Sequence, residues 1–213
     1  MPICFDLDGT LGSFGGGYVL LRQALGELWG EEPSAEALRG CAGSTDWEIV
    51  AELHQGCFGR PLQESHYEAY QEGCLRRFTA AFPPSPPAHR AFPGIIAALD
   101  HLLDSGVPVA VVSGNAPKLL DFKLDRLGLP PTLPRIGSLP RQDRAALLNR
   151  CLEGCQGPHL YVGDRPHDLD AARRTQMPFL GVGDRVPEAE VSVPAEATKE
   201  EVLGWIQRLR ALA

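Results

Sequence analysis

The apolar positions of this chain change period several times, and the changes mark out its elements. Ile3-Cys4-Phe5 opens a short apolar run over residues 3–8 that reads as a buried strand. Gly12, Gly15, Gly16 and Gly17 then break regular structure. From Tyr18 the period becomes helical, with Tyr18, Leu21, Leu25, Leu28 and Trp29 on one face. A second helix is predicted from Asp46 through Leu53, entered from Ser44-Thr45, and a third carries Tyr67, Tyr70, Cys74, Leu75, Phe78 and Phe82. No strand-like run interrupts residues 18–82, and Pro83-Pro84-Ser85-Pro86-Pro87 follows as a stiff, extended linker.

Beyond the linker, strand and helix alternate. A helix from Ile95 to Asp104 follows Pro93-Gly94, and Val107–Val112 is apolar throughout, as in a strand buried on both faces. Helices are predicted over 118–127, 143–152, 169–175 and 199–212, the last opened by Thr198 and Glu201 at capping-box spacing. Strands are predicted over 135–137, 160–163 and 179–182. This alternation predicts an α/β fold with a doubly wound, Rossmann-like parallel sheet. Residues 1–13 and 89–213 form its core, and an all-helical cap, 14–88, is inserted after the first strand. Functional residues are then expected at the carboxyl ends of the strands.

Composition narrows the partners. The 213 residues carry a formal net charge of -7, which argues against a nucleic-acid or anionic-membrane surface as partner. The six cysteines include no CxxC pair, and neither a signal peptide nor a membrane-length apolar run is evident. They read as reduced thiols of a cytoplasmic protein. Cys151 and Cys155 share a helix face but lack the further ligands of a metal site.

The chemistry gathers at the expected strand ends. Asp6 and Asp8 would point to one side where the first strand stops, and two converging carboxylates repel unless a cation or a shared proton relieves them. Val107–Val112 runs into Ser113-Gly114-Asn115, whose hydroxyl and backbone amides suit an anion. The strand at 160–163 runs into Asp164-Arg165-Pro166-His167-Asp168. Asp6, Asp8, Asp164 and Asp168 at one rim call for a hard cation, and Mg²⁺ fits best. Ser113 and Asp168 could instead simply cap the helices that follow them.

Asp6-Leu7-Asp8-Gly9-Thr10-Leu11, Ser113-Gly114-Asn115 and Gly163-Asp164-Arg165-Pro166-His167-Asp168 resemble, in order, the first, second and fourth motifs of the haloacid dehalogenase-like hydrolase superfamily. The helical insertion lies where that family carries its cap, as in its phosphoglycolate phosphatase-like branch. The resemblance implies that Asp6 is a nucleophile forming an aspartyl-phosphate and that Asp8 is a general acid turned base. It implies Mg²⁺ between Asp6, the backbone carbonyl of Asp8 and Asp164, with Asp168 steadying the site. Ser113, with amides near Gly114 and Asn115, would hold phosphate oxygens.

The family also places a cation, usually lysine, beside the nucleophile. Lys123 lies two turns into its helix, about 10 Å from the strand edge at 1.5 Å per residue. Arg144 starts a helix on the correct side of the sheet, so the order of preference is Arg144, Lys123, then Arg141. Gly43-Ser44-Thr45-Asp46 resembles a cap loop facing the active site, making Thr45 and Asp46 candidate substrate contacts. Ser44 or Thr45 could instead cap the next helix. The insert has no lysine, which disfavours a phosphonate-cleaving relative, and Asp8 disfavours a true dehalogenase. The expectation is a Mg²⁺-dependent phosphatase for a small phosphorylated metabolite. The alternatives are a phosphomutase, and a non-catalytic phosphate-sensing or partner-binding protein on the same scaffold.

Overall fold

The computed structural model describes residues 2–85, 88–153 and 159–212. In chain order the elements begin with β1 (Ile3–Phe5), β2 (Gly12–Ser13), α1 (Gly17–Trp29), α2 (Ala35–Arg39), α3 (Asp46–Phe58) and α4 (Glu64–Ala81). They continue with β3 (Arg90–Ala91), α5 (Pro93–Asp104), β4 (Val109–Val112), α6 (Pro117–Arg126) and β5 (Arg135–Ile136). The chain ends through α7 (Arg144–Leu152), β6 (Leu160–Gly163), α8 (Pro166–Arg174), β7 (Phe179–Val182), β8 (Ser192–Val193) and α9 (Lys199–Leu212).

The main sheet has six strands in the order β5-β4-β1-β6-β7-β8, and every pairing in it is parallel. The doubly wound α/β architecture is therefore as expected. Apolar runs that look continuous in sequence divide by alternation between the two faces. Ile3, Phe5, Val109, Val111, Leu160 and Val162 pack on one side with α5 and α9. Cys4, Val112, Tyr161 and Phe179 pack on the other with α7 and α8. β4 starts later than expected because Val107 N–H turns back to Leu102 O and Pro108 has no N–H for the ladder.

Helices α1, α2, α3 and α4 lie between β2 and β3 in the chain and share their own core, which includes Leu25, Val50, Tyr67, Tyr70 and Cys74. A smaller cluster, Phe14, Phe78, Phe82, Leu119 and Phe122, joins them to α6. Four elements are not predicted from the sequence: β2, β3, β8 and α2. The β2–β3 ribbon and the edge strand β8 are two residues each, too short for a period to register. Helix α2 buries only Leu38 and is set by its cap, Ser34 Oγ accepting from Ala37 N–H. Of the proline run, Pro84 and Ser85 form a turn, and Pro86 and Pro87 lie outside the described residues, as does Cys155. No helix among the described residues is long and apolar enough to cross a membrane.

Candidate active site

The strand order sets the site. Because β1 lies between β4 and β6, the chain ends carrying Ser113, Asp6 and Asp164 are neighbours at the carboxyl edge. A cavity of about 720 Å³ opens there between the sheet and the helical insert, lined by Asp6, Asp8, Ser113, Asn115, Lys123 and Asp164 among others.

Asp6 is 3% exposed. Its Oδ1 accepts from Arg144 Nη1 at 2.9 Å. The same guanidinium nitrogen lies 2.8 Å from Asp168 Oδ1. Tyr161, fully buried, donates its hydroxyl to Asp168 Oδ1 at 2.9 Å and accepts from Arg144 at 3.3 Å. Burial, and then the nearby Asp168, push the Asp6 carboxyl well above the usual carboxylate range, with Arg144 opposing them. Burial works against the Arg144 charge, yet Asp168 and Asp6 hold that guanidinium protonated.

Asp8 has a different cation. Lys123 Nζ lies 2.6 Å from Asp8 Oδ2 and donates also to Asn115 Oδ1 at 2.8 Å. Asn115 Nδ2 donates to both Asp8 Oδ2 and Ser113 Oγ at 2.7 Å. Lys123 is 4% exposed, and its ammonium sits over the rings of Phe14 and Phe78, at 5.4 and 5.0 Å. The expected gap of about 10 Å is closed because α6 packs against the insert and the lysine stem spans the remainder. Arg144 and Lys123 are thus partners of different aspartates rather than rivals for one position. Arg141 is exposed and, among the described residues, pairs with Glu64 at 3.6 Å, away from the aspartates.

Asp164 and Asp168 divide their work. Asp168 Oδ2 accepts the N–H groups of Asp164 and Arg165 at 3.2 and 3.0 Å, so this carboxylate opens α8 and also anchors Arg144. Asp164 Oδ2 is met by Arg185 Nη1 at 3.0 Å and Arg165 Nε at 3.3 Å. Its Oδ1 is buried without a partner. Burial, then Asp168, raise its pKa to about 6. His167 at the rim is lowered to about 4 by burial and by Arg144, so it is neutral at pH 7.

Oxygens of Asp6, Asp164 and Asp168 lie within 4.8 Å of one another. Three carboxylates this close, with Asp164 Oδ1 unpartnered and burial raising the pKa of Asp6 and Asp164, form an all-oxygen donor set that fits a hard divalent cation such as Mg²⁺. Gly9 adds a steric argument. It has φ +93°, and a Cβ there would fall 2.1 Å from Asp164 Oδ2. The Asp8 carboxylate, expected in this cluster, is not part of it, because it turns to Lys123.

The cap loop splits the expected pair. Asp46 is on the cavity wall, and its Oδ2 accepts from Ala116 N–H at 2.8 Å. Burial raises its pKa to about 6. Thr45 is 1% exposed and does not line the cavity. Its side chain caps α3 in a capping box with Glu48 and donates to Gln142 O at 3.2 Å. The expectation that Thr45 touches substrate is corrected accordingly: α3 needs that oxygen. Ser113, conversely, does not cap α6, whose N-cap is Ala116 without a side-chain hydrogen bond. Gly114 contributes its carbonyl, which accepts from Asp46 N–H at 2.7 Å.

The sequence pattern of the haloacid dehalogenase-like hydrolase family matches residues 3–182. The chain belongs to that family. No curated relative matches it in sequence. Among solved structures it is similar to a hydrolase from Pseudomonas syringae, with 18% identity, TM-score 0.70, and coverage of 97% of this chain and 98% of that one. A predicted phosphoglycolate phosphatase from Haemophilus somnus 129PT has 20% identity, TM-score 0.63 and coverage of 96% and 97%. CbbY from Rhodobacter sphaeroides, in complex with phosphate, has 16% identity, TM-score 0.68 and coverage of 90% and 92%. Identities this low establish the shared fold alone. This haloacid dehalogenase-like hydrolase departs from its own sequence reading at Tyr161, Arg165 and Arg185. Tyr161 is hidden inside an apolar strand, and Arg185 follows Gly183-Asp184, which reads as a loop.

Proposed function

We propose that this hydrolase is a Mg²⁺-dependent phosphatase for a small phosphate monoester. The observation that carries the reading is Asp6, a buried carboxylate facing the cavity with Oδ1 held by Arg144 and the unpartnered Asp164 Oδ1 in the same cluster. Held in this way, Asp6 presents Oδ2 to phosphorus. A P–O bond forms to Asp6 as the ester P–O bond breaks, giving an aspartyl-phosphate. Asp8 gives a proton to the departing alkoxide, and the contacts with Lys123 and Asn115 fix where its carboxyl group sits. Asp8 then takes a proton from the water that attacks phosphorus, and Asp6 is regenerated as phosphate leaves.

Ser113 Oγ and the amides near Gly114 and Asn115 hold the non-bridging oxygens, and Asn115 fixes the Ser113 hydroxyl. Asp6, Asp164 and the Asp8 carbonyl would hold Mg²⁺, with Asp168 steadying them. The ion would neutralise charge on the phosphoryl group. Arg144 orients the nucleophile, and Tyr161 and Asp168 orient Arg144. Cys41, Cys57 and Cys74 are free thiols, in keeping with a cytoplasmic setting.

The test is hydrolysis of an aryl phosphate by the purified protein with and without Mg²⁺. The reading expects turnover that needs Mg²⁺ and disappears in Asp6→Asn. Turnover that persists in that variant would overturn it.

A further inference from the structure

The cavity wall opposite the nucleophile belongs to the insert, and its chemistry is unusual for a site that receives an ester. Tyr70 on α4 is fully buried and lines the cavity, and its hydroxyl makes no hydrogen bond at ordinary distance, although Asp46 and Cys74 lie near enough to act on it. A buried hydroxyl of this kind lacks the bond that such groups nearly always make. The Asp46 carboxylate is close by, adding to burial in raising the Tyr70 phenol. Asp46 commits Oδ2 to Ala116 N–H, and the half-buried remainder of its side chain faces the cavity. Leu21, Ile49 and Phe14 supply apolar wall around the two.

Charge selects the ligand. The insert has no lysine, and none of its arginines lines the cavity. Arg22 is engaged by Glu32 and Pro33 O, and Arg77 by Gln23 and Glu27. The core's arginines on the same cavity are also engaged, Arg90 by Glu196, Arg165 and Arg185 by Asp164, and Arg144 by Asp6, so an anionic leaving group would meet the Asp46 carboxylate with no uncommitted arginine to offset it. A cationic one would compete with Lys123, whose ammonium already acts on Asp46 after burial and the Ala116 N–H. A neutral hydroxyl satisfies both groups, donating to Asp46 and accepting from Tyr70.

We propose that Asp46 and Tyr70 form the leaving-group subsite, and that the substrate is the phosphate monoester of an uncharged, hydroxyl-bearing alcohol. The inference rests on the phosphatase reading above. Its test compares kcat/KM, with Mg²⁺, for glycerol phosphate, phosphoglycolate, phosphoethanolamine and an aryl phosphate. Glycerol phosphate is expected to exceed the acidic and amino esters by about tenfold or more. Tyr70→Phe, which conserves volume, is expected to lower the glycerol phosphate to aryl phosphate ratio about tenfold, and Asp46→Asn to lower it in the same sense. Preference for phosphoglycolate or phosphoethanolamine, or one common loss on every ester in both variants, overturns this inference alone. No turnover of any of the four overturns the phosphatase reading and this inference with it.

Discussion

Lys123 Nζ lies 2.6 Å from Asp8 Oδ2, while Arg144 Nη1 lies 2.9 Å from Asp6 Oδ1. The two clustered aspartates at the end of β1 are thus served by different cations, and Asp6 shares its own with Asp168. Lys123→Met is therefore expected to act on Asp8 chemistry. Asp8 keeps Asn115 and has a side chain 37% exposed, so water can replace the ammonium and the melting temperature should change by only a few degrees. Turnover should fall by about 10²-fold or more. Kinetics and a thermal melt on one preparation check both parts.

Arg144 is a different case, because its partners are sealed from water. Arg144→Met leaves Asp6 and Asp168 facing each other without a counter-charge and should cost about 3 kcal/mol of stability, measured by urea unfolding. Tyr161→Phe removes one hydroxyl bond to Asp168 and should cost about 1 kcal/mol, with a smaller loss of turnover. Equal stability losses in the two variants would contradict this account.

Metal binding should show in the pH dependence of stability. The Asp164 carboxyl is raised from 3.8 to about 6, first by burial and then by Asp168. The folded state thus holds a proton that the unfolded chain has lost, and this favourable contribution disappears as pH rises from 3.8 to about 6. Mg²⁺ competes for the ionised carboxylates, so it should raise the melting temperature at pH 7.5 and have little effect at pH 5. Asp164→Asn should abolish the Mg²⁺ shift in a melt that involves no substrate.

Gly9→Ala tests the steric side of the same cluster. Alanine there is strained at φ +93°, and its Cβ would displace the Asp164 carboxylate. A loss of about 1–3 kcal/mol in stability is expected, together with loss of the Mg²⁺ shift. An alanine variant that retains the shift would show that Asp164 can move without losing the ion.

The strands and long helices were legible because their apolar periods run for several residues, and the acids stood out as charges at the ends of those runs. Elements held by two backbone pairings or one cap, such as the β2–β3 ribbon and α2, leave no period. Side-chain reach was the other blind spot. Counting turns put Lys123 at a distance, whereas a buried stem between Phe14 and Phe78 delivers its ammonium to Asp8. Tyr161 was invisible for a related reason, since its ring satisfies the apolar pattern while its hydroxyl enters the polar network. Thr45 and Asp46 share one loop and one polar character, and only the backbone of α3 decides which of them turns inward.

Arg144 also donates through Nη2 to Ser44 O at 3.0 Å, so the group that holds Asp6 is itself held by the loop before α3. Gly114 permits this approach, since a Cβ there would lie 2.5 Å from that same carbonyl. One guanidinium therefore spans the core and the insert, gripping the Asp6 carboxylate through Nη1 and the Ser44 carbonyl through Nη2, so that any shift of the loop from Ser44 to Asp46 is transmitted to Asp6 through a single side chain.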